Sequence, residues 1–374
     1  MITFNEILTA IKKYMILEGQ DEHIIDLLLA TALSLELNRP IWLMIIAPPS
    51  SGKTELLNTL TKLENYHPLH NLTPKFLFSG HPLAQGGYMN RKVKERGLLA
   101  FPDFTTVLSL DSKPRNIIFN QLRVIYDGKA GLGTGIDSGN YNTWEGKIAL
   151  IALVTEAIEK LKEKSSDLGE RFLYYNYFSK ELDEESFVNR QMNDPLKKFV
   201  PDSVLEFISS RTKLITQKSV SEEEIKWIFR LAKFIAYGRA TVERDGYKRE
   251  ISNIHQPEKP FRIFTALEGL YKSLITINED INRTTEILRH VAKSSIPRIR
   301  IGILLRVHRY FGLNITFKDI FKNTKISESK IRRTVDDLNA LRILDKIPAK
   351  DRNQFYLRFN VNFLNYWKAI IGEE

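Results

Sequence analysis

The sequence predicts an α/β fold, in which a doubly wound core of strands and helices precedes a helical region and a small helix–hairpin domain. The apolar strand "IWLMIIA" (41–47) runs into a Gly-Lys-Thr turn and an amphipathic helix. A second continuous apolar run, "IALIALVT" (148–155), is typical of a strand buried on both faces. After residue 178 the apolar spacing becomes that of helices, which places the sheet in the first part of the chain.

The composition is that of an ordinary globular protein, with 43% apolar and 27% charged residues among 374. That length suits two or three domains. The absence of cysteine excludes disulfides and thiolate metal sites, and no apolar run approaches the roughly 18 residues of a membrane helix. The first residues, "MITFNEILTAIKKY", mix acidic and basic side chains on a helical pattern, unlike a signal peptide. We therefore expect a cytoplasmic protein with no membrane partner.

Residues 1–200 are predicted to hold N-terminal helices and the α/β core. Apolar residues recur every three or four positions across 3–38, which indicates two helices. The elements expected after them are the strand 41–47 and its helix at about 53–64, a short strand or strand end at 77–80, an apolar run at 98–101, a helix at 113–128, a hairpin at 129–147 and the strand 148–155. The hairpin is indicated by its glycine, serine and asparagine content.

Two further domains are predicted. Residues 201–295 have a helical pattern, with Ser221 and Glu224 spaced as a capping box, so we expect an all-α lid domain. Residues 296–374 predict three helices and a hairpin of two alternating strands, with Ser327 capping the third helix. That order is typical of a winged helix-turn-helix domain, whose third helix enters the major groove of DNA.

Basic charge is concentrated at the C-terminal end of the chain. From Arg283 to Glu374 there are 19 Lys or Arg and 9 Asp or Glu, whereas the first 282 residues hold 36 of each sign. A basic domain on a neutral body indicates a polyanionic partner, here DNA. A winged helix that contacts only proteins is the alternative. The expected DNA contacts, on the third helix and the hairpin, are Lys330, Arg332, Arg333, Lys350, Arg352 and Arg358.

The stretch after the first strand matches the phosphate-binding pattern G-x-x-x-x-G-K-[ST], with Ala47 in place of the first glycine. Backbone N–H groups along the turn can bind phosphate oxygens, and the following helix adds its positive end. The side chain of Lys53 can reach the β- and γ-phosphates, and the hydroxyl of Thr54 can bind Mg²⁺. The pattern therefore predicts an ATP and Mg²⁺ site. The residues that offer the backbone groups are Ser50, Ser51, Gly52 and Lys53.

Hydrolysis needs a carboxylate for the metal ion and a group that positions water. Asp103, after the apolar run 98–101, is the candidate metal carboxylate, and a plain loop aspartate is the alternative. Phe104 stands where a glutamate is expected, so Glu55 is the substitute candidate. An acidic residue at position 55 also simply suits the dipole of a first helical turn. Thr155, at the tip of the second strand, could orient the attacking water.

Arginines are suited to neutralising the charge that develops on a γ-phosphate. Arg171, in "LGERFLYY", is the first candidate, and a structural arginine paired with Glu170 or another acid is the alternative. In the helical region Arg262 could reach over the nucleotide from the start of a helix, and Arg239 is the competing candidate. The sequence leaves the choice between these two open.

The order of these features resembles an AAA+ ATPase, and it is most similar to the MCM-like and phage or mobile-element replicative helicases over about residues 40–290. The resemblance implies a P-loop (AAA+) core, a helical lid and an appended winged helix. It implies that Arg171 is a finger donated to the neighbouring subunit's ATP, and that Thr155 and Arg262 are sensor residues. It further implies that the hairpin 129–147 reaches a central DNA channel, in a ring-shaped homo-oligomer that we expect to be a hexamer.

The sequence therefore predicts an ATP-driven DNA motor, a replicative DNA helicase of a phage or mobile element. Two alternatives use the same residues. One is a helicase loader or replication initiator that assembles on DNA without unwinding it, and the other is an ATP-switched DNA-binding regulator. A P-loop kinase is disfavoured, because nothing marks an acceptor site and the basic C-terminal domain would have no use.

Overall fold

The structure, a computed structural model, divides the chain into two compact units. Unit 1 comprises Met1–Ile158, Glu170–Val220 and Thr265–Leu288, and unit 2 comprises Glu159–Gly169, Ser221–Phe264 and Arg289–Glu374. The residues that the structure describes are 2–15, 17, 19–49, 51–79, 86–132, 142–164, 171–177, 184–185, 188, 196–247, 250–310, 315–322, 324, 326–349 and 355–373.

Unit 1 is built on a parallel sheet of five strands. These are β1 (Trp42–Ile46), β2 (Tyr66–Pro68), β3 (Arg96–Phe101), β6 (Lys147–Val154) and β7 (Leu173–Asn176), in the order β2-β3-β6-β1-β7. The register places Ile46 opposite Val154 on one side and opposite Asn176 on the other. The predicted mixed α/β fold around a central sheet is confirmed at this level.

Helices cover the sheet of unit 1. They are α1 (Phe4–Tyr14), α2 (His23–Leu33), α3 (Lys53–Asn58), α4 (Thr105–Leu108), α5 (Ser112–Tyr126), α7 (Leu196–Ile215), most of α9 (Phe261–Asn278) and the first part of α10 (Ile281–Ser294). Both α2 and α5 contact β6, and α1 packs against α7. A capping box between Thr3 and Glu6 starts α1.

The two central strands are apolar throughout because both of their faces are covered. Residues of β1 are at most 4% exposed, and those of β6 from Ile148 to Val154 at most 3%. Trp42 links the two strands, since its Nε1 donates to the carbonyl of Ile148 over 2.8 Å. Its ring centroid lies 5.2 Å from those of Tyr126 and Phe172. The continuous apolar runs in the sequence are therefore explained by burial on both faces.

The predicted hairpin before β6 is present at its base. Strands β4 (Lys129–Leu132) and β5 (Asn142–Glu145) pair antiparallel, with Lys129 opposite Glu145. The indole Nε1 of Trp144 donates to the carbonyl of Lys94 over 2.5 Å, which ties the hairpin to the segment before β3. The tip of the hairpin lies outside the described residues.

Unit 2 combines helices with two small antiparallel sheets. Its elements are α6 (Ile158–Lys164, apart from its first residue), α8 (Glu222–Gly238), β8 (Val242–Arg244), β9 (Ile251–Ile254), the last part of α10, α11 (Arg298–Arg309), β10 (Ile315–Thr316), α12 (Phe317–Phe321), α13 (Glu328–Ala340), β11 (Leu344–Pro348), β12 (Phe355–Phe359) and α14 (Val361–Ile371). The larger sheet has the order β10-β12-β11. Helix α14 packs on α8, with the buried Trp367 ring 6.0 Å from Phe234. The C-terminal elements therefore share a core with α8.

Several predicted elements are confirmed. The helix at 113–128 is α5, the strand at 148–155 is β6, and the Ser221–Glu224 capping box begins α8. Ser327 occupies the N-cap position of α13, but its side chain makes no capping hydrogen bond. No helix in the described part of the chain is long and apolar enough to span a bilayer. The domain boundaries at 200 and 295 stay a prediction.

Other expectations need correction. The helix after β1 ends at Asn58 and does not continue to 64, because the hydroxyls of Thr59 and Thr61 bond back to main-chain carbonyls. Residues 201–295 are not all helical, since β8 and β9 form a hairpin around the turn pair Asp245-Gly246. The sequence reasoning missed β2 and α14. Within 77–80, Ser79 makes an isolated bridge to Gly86, and residue 80 lies outside the described residues.

The most deeply buried ion pair of unit 1 joins α2 to α10. Asp26 is 0% exposed and accepts hydrogen bonds from the Arg283 guanidinium at 2.6 and 3.0 Å and from Asn278 Nδ2 at 2.8 Å. Replacing Arg283 with Met should lower the free energy of unfolding by about 3–5 kcal/mol, because the Asp26 charge would stay buried without a counter-ion. Urea denaturation measures this effect. Lys129→Met is the control, because Lys129 and Glu145 are 76% and 73% exposed, and equal losses in both variants would contradict the prediction.

Candidate functional site

The chain turns sharply between β1 and α3, at the residues that match the phosphate-binding pattern. Gly52 has φ +76°, a conformation that favours glycine, and a Cβ there would lie 3.3 Å from Met15 Cε. The buried Ser51 donates through Oγ to the carbonyl of Pro48 over 2.9 Å. Ser50 lies outside the described residues. The first N–H groups of α3 follow this turn, and such groups have no acceptor inside their own helix.

Lys53 begins α3, and its ammonium lies over the turn. Its Nζ donates to the carbonyl of Ala47, the residue that follows β1, over 2.9 Å. Burial lowers the pKa of Lys53, and the negative charge of Asp103 acts in the opposite direction. Asp103 comes from the loop after β3, and β1 and β3 both run parallel to β6, so the two residues leave the sheet at the same edge. The structure thus brings together two of the residues predicted from separate motifs.

Thr155 and Asp103 belong to one hydrogen-bonded loop system. Asp103 is exposed, and its Oδ1 accepts from the N–H of Thr105 over 3.0 Å. The Thr105 hydroxyl accepts from the N–H of Thr155 over 3.1 Å, and the two hydroxyl oxygens are 3.4 Å apart. The N–H of Phe104 donates to the carbonyl of Leu153 over 2.7 Å. The loop that holds Asp103 is thereby fixed to the end of β6.

Thr105 is a site residue that sequence reasoning missed. An Asp that bonds to the N–H two residues on is a common turn pattern, so the "DFT" triplet at 103–105 carried a local signal. What the triplet could not show is the partner, because the link to Thr155 depends on β3 and β6 being neighbours in the sheet.

The two residues after Lys53 have different surroundings. Thr54 is exposed on the first turn of α3. Glu55 lies with a carboxylate oxygen 3.6 Å from Nζ of Lys197 on α7, and both side chains are 29% exposed. Its charge also acts on the hydroxyl of Tyr14, whose pKa is raised first by burial and then by Glu55. Glu55 is therefore engaged with α1 and α7 in this structure, and its proposed part in hydrolysis stays a prediction.

Arg171 lies at the opposite edge of the sheet from Lys53. It precedes β7, whose Leu173 pairs with Leu43, whereas Tyr177 at the other end donates its N–H to Ile46 over 2.8 Å. Because strand residues rise about 3.3 Å each, about 20 Å separates Arg171 from the level of the phosphate-binding turn. Within one chain, Arg171 is therefore out of reach of a nucleotide at Lys53.

The Arg171 guanidinium packs at the end of α5. It lies 3.4 Å from Asp127 and 5.6 Å from the centroid of the Tyr126 ring, and its side chain is 10% exposed. Its Nε is buried and has no hydrogen-bond partner among the described residues. The alternative partner Glu170 lies outside the described part of the chain, so the acidic neighbour found here is Asp127.

The two candidate lid arginines lie in unit 2. Arg239 forms a 2.5 Å ion pair with Glu258, and these side chains are 11% and 16% exposed. Arg262 is exposed near the start of α9. The Arg239 guanidinium thus pairs with a carboxylate of its own unit. A sensor role for Arg262 stays a prediction.

Four of the six predicted DNA contacts lie among the described residues, and Lys350 and Arg352 do not. Lys330, Arg332 and Arg358 are exposed, while Arg333 is half-buried. Arg332 lies 2.7 Å from Glu328 and 4.2 Å above the Phe317 ring, so its guanidinium is oriented on the surface of α13. The main-chain carbonyl of Arg333 accepts a hydrogen bond from the Arg244 guanidinium, and the Arg333 side chain takes no part in this bond. Helix α13 thus has two exposed cations, Lys330 and Arg332, and a half-buried third, Arg333.

No known protein family matches the sequence, and no curated protein is similar to it. Among solved structures, the apo A form of the NrS-1 C-terminal region is similar at a TM-score of 0.29 and 11% identity, over 96% of this chain and 75% of that one. A similarity this distant assigns no role to the site, whose chemistry is therefore argued from its own residues.

Proposed function

We propose that this chain binds and hydrolyses ATP and uses the cycle to act on DNA, as an oligomeric motor of the AAA+ type. The main support is Lys53, whose ammonium lies at the carboxyl end of β1 and within electrostatic reach of Asp103. The position in the sheet also suits a ligand. Strand β2, which follows β1 in the chain, lies on one side of β1, and strand β7, which follows β6, lies on the other side. Ligands of open α/β sheets bind at such a switch point.

Each residue of the turn has a defined part in this proposal. The N–H groups at the start of α3 bind phosphate oxygens, and Lys53 exchanges its bond to Ala47 for the β- and γ-phosphates. The magnesium ion that such sites use fits the oxygens of Thr54 and Asp103, which are both exposed. No cluster of three or more acidic or histidine side chains suited to a metal occurs in the described ranges. With Thr54 and Asp103 as its protein ligands, the ion would take its other ligands from phosphate and water.

Thr155 and Thr105 position water in this proposal. Thr105 lies on the loop that holds Asp103, and Thr155 lies at the end of β6. Their hydroxyl oxygens are 3.4 Å apart, and an attacking water could bond to either. Both hydroxyls are neutral at all working pH values, so they orient water and do not remove its proton. Glu55 is the carboxylate proposed for that step, after it exchanges its contact with Lys197.

Arg171 supports an oligomer in this proposal. A finger that lies about 20 Å from its own phosphate-binding turn can act only on a neighbouring subunit's nucleotide. A ring, which we propose to be a hexamer, closes such heterologous contacts.

The C-terminal elements of unit 2 support duplex DNA binding through a winged helix. Helices α11, α12 and α13 precede the β11–β12 hairpin, and α13 has exposed cations. We propose that α13 enters the major groove and that the hairpin contacts phosphates.

A loader or ATP-switched regulator is the second candidate, and one observation favours it. Phe104, which stands where a water-activating glutamate is expected, is 0% exposed, with its ring 5.3 Å from that of Phe101. The residue after Asp103 therefore belongs to the hydrophobic core and supplies no carboxylate near the proposed phosphate site. ATP turnover with and without DNA, measured beside strand displacement, separates a motor from a loader.

Lys53→Ala should abolish ATP turnover and weaken ATP binding, because the point charge on the β- and γ-phosphates is lost. Turnover is measured by phosphate release, and affinity by titration with a fluorescent ATP analogue. The matched control is Lys62→Ala, because Lys62 lies shortly after α3 and makes only an exposed ion pair of 3.7 Å with Asp202. Near-normal turnover of the Lys53 variant would show that the turn is not the ATP site.

Arg171→Ala should keep ATP binding and lose turnover by about 10³-fold, as expected for a finger. Mixing it with the Lys53→Ala protein should restore part of the activity, since some interfaces then join an intact Lys53 to an intact Arg171. Asp127→Ala is the control, because it removes the ion pair within the chain and keeps the guanidinium. If that control loses as much turnover as Arg171→Ala, and no mixture recovers, Arg171 is structural.

The combined change Lys330→Gln, Arg332→Gln and Arg333→Gln should weaken duplex binding. If each contacts a phosphate, the slope of log K against log salt should become shallower by about 0.9 per contact. Point changes are preferable to deleting 296–374, because α14 shares a core with α8. The control neutralises three exposed cations elsewhere in unit 2: Lys226, Arg230 and Lys259. An equal change of slope in both proteins would rule out α13 as the specific DNA contact.

A further inference from the structure

Residues 86–94 of unit 1 form a short basic segment with an unusual backbone conformation. Met89–Val93 form a single π-helical turn, which occurs frequently at functional sites. Lys94, which ends the turn, has φ +59°, and a non-glycine residue is strained in that region. Gly87 has φ +93°, and a Cβ there would lie 2.6 Å from the carbonyl oxygen of Leu77. The fold thus holds this turn closely against the preceding segment.

The turn and the segment beside it present exposed positive charge. Arg91, Lys92 and Lys94 are exposed, and so is Lys75 on the segment that bonds to Tyr88. Within the described part of the chain, no carboxylate lies at ion-pair distance from any of these four cations. The neighbouring hairpin differs, since Lys129 at its base is 3.1 Å from Glu145. Of these two adjoining elements, the π-helical turn is therefore the cationic one.

Aromatic rings lie beside these cations. The N–H of Tyr88 donates to the carbonyl of Phe76 over 3.0 Å, and their rings stack with centroids 4.9 Å apart and planes inclined by 24°. Both residues are half-buried. The Tyr88 ring also meets the edge of His67, with its hydroxyl 3.4 Å from Nδ1, which fixes the pair in place. A half-buried, stacked aromatic pair next to exposed cations suits nucleobases and phosphates together.

We propose that residues 75–76 and 88–94 form a binding surface for single-stranded nucleic acid. This inference rests on the proposed action on DNA and assigns the strand contact to this surface. A five-residue π turn is too short to enter a duplex groove, whereas cations interleaved with aromatic rings bind single strands without sequence preference.

The location of the surface fits that role. Lys94 stands before β3, and Asp103 follows β3, so the length of this strand, about 20 Å, separates the surface from the phosphate-binding turn. The carbonyl of Lys94 accepts from Trp144, and that of Glu95 accepts from the N–H of Lys147, which joins the surface to the β5–β6 connection. A strand can therefore bind here without competing with ATP, while the rigid strand β3 connects the two sites.

The test uses the full chain with Lys330→Gln, Arg332→Gln and Arg333→Gln as background, so that duplex-type contacts of α13 do not mask the signal. Into it are introduced Lys75→Gln, Arg91→Gln and Lys92→Gln. Binding of a fluorescein-labelled thirty-nucleotide oligothymidylate is followed by anisotropy over a salt series. The slope of log K against log salt should become shallower by about 0.7 for each lost phosphate contact, or about 2 in all, and affinity at low salt should fall at least tenfold.

The matched control removes the same charge elsewhere in unit 1, through Lys13→Gln, Lys62→Gln and Lys213→Gln, all at exposed positions. It should leave slope and affinity as in the background. Lys94→Gly is the second variant, because glycine suits the strained backbone and removes the charge. Lys94→Gly should make the slope of log K against log salt shallower by about 0.7, and the midpoint of unfolding should stay the same or rise. A merely structural role would not give this combination.

Equal slopes in the triple variant and its control would overturn the inference. So would an equal loss of binding to poly-glutamate, which would make this a surface for acidic protein segments. ATP turnover without DNA is measured on the same proteins and should not change. If the parent protein has no ATPase activity but the oligothymidylate slopes differ as stated, the proposed function fails and this surface stands. If turnover is normal and the slopes are equal, only this surface fails.

Discussion

The parallel pairing of β1 with β6 is the constraint on which unit 1 depends. It sets Ile46 beside Val154, and the N–H of Ala47 donates to the carbonyl of Val154 over 2.9 Å. The turn proposed to bind phosphate and the strand end at Thr155 therefore leave the sheet side by side. A slip of one residue would displace the two by about 3.3 Å and turn every β1 side chain to the opposite face. Burial of both strands makes that slip unfavourable, so precise placement of polar groups at the edge follows from apolar packing inside.

The polarity of a parallel sheet divides unit 1 into two working edges. At the carboxyl ends lie Lys53, Asp103 and Thr155, which suit a polyphosphate and a metal ion. At the amino ends lie Arg171 and the basic turn that ends at Lys94, groups suited to partners outside the chain. Strands of four to eight residues are stiff and continuous between the edges.

Sequence reasoning succeeded where one local property decides the structure. Strands β1 and β6 are buried on both faces, so they appear as unbroken apolar runs, and the Gly-Lys-Thr turn is specified by residues in direct succession. The sequence did not reveal features that depend on a partner distant in the chain. Strand β2 is three half-buried or exposed residues that pair only because β3 lies beside them. The link from Thr105 to Thr155 likewise follows from strand order, which no spacing in the sequence reveals. That no carboxylate of the described ranges lies at ion-pair distance from Lys94 likewise depends on the fold and not on the local sequence.

The same distinction bears on how the proposed hydrolysis is controlled. Phe104 is buried in the core, and its N–H donates to the carbonyl of Leu153, so the residue after Asp103 serves packing and not proton transfer. Glu55, the nearest alternative base along the chain, is 3.6 Å from Lys197, and its carboxylate must leave that cation to accept a proton. In the proposed site, the lysine, the carboxylate and the two threonine hydroxyls are thus already in place, whereas Glu55, the proposed base, is engaged with Lys197. Turnover would then require a rearrangement of α3 against α7, and a partner that favours this rearrangement would act as the switch for hydrolysis.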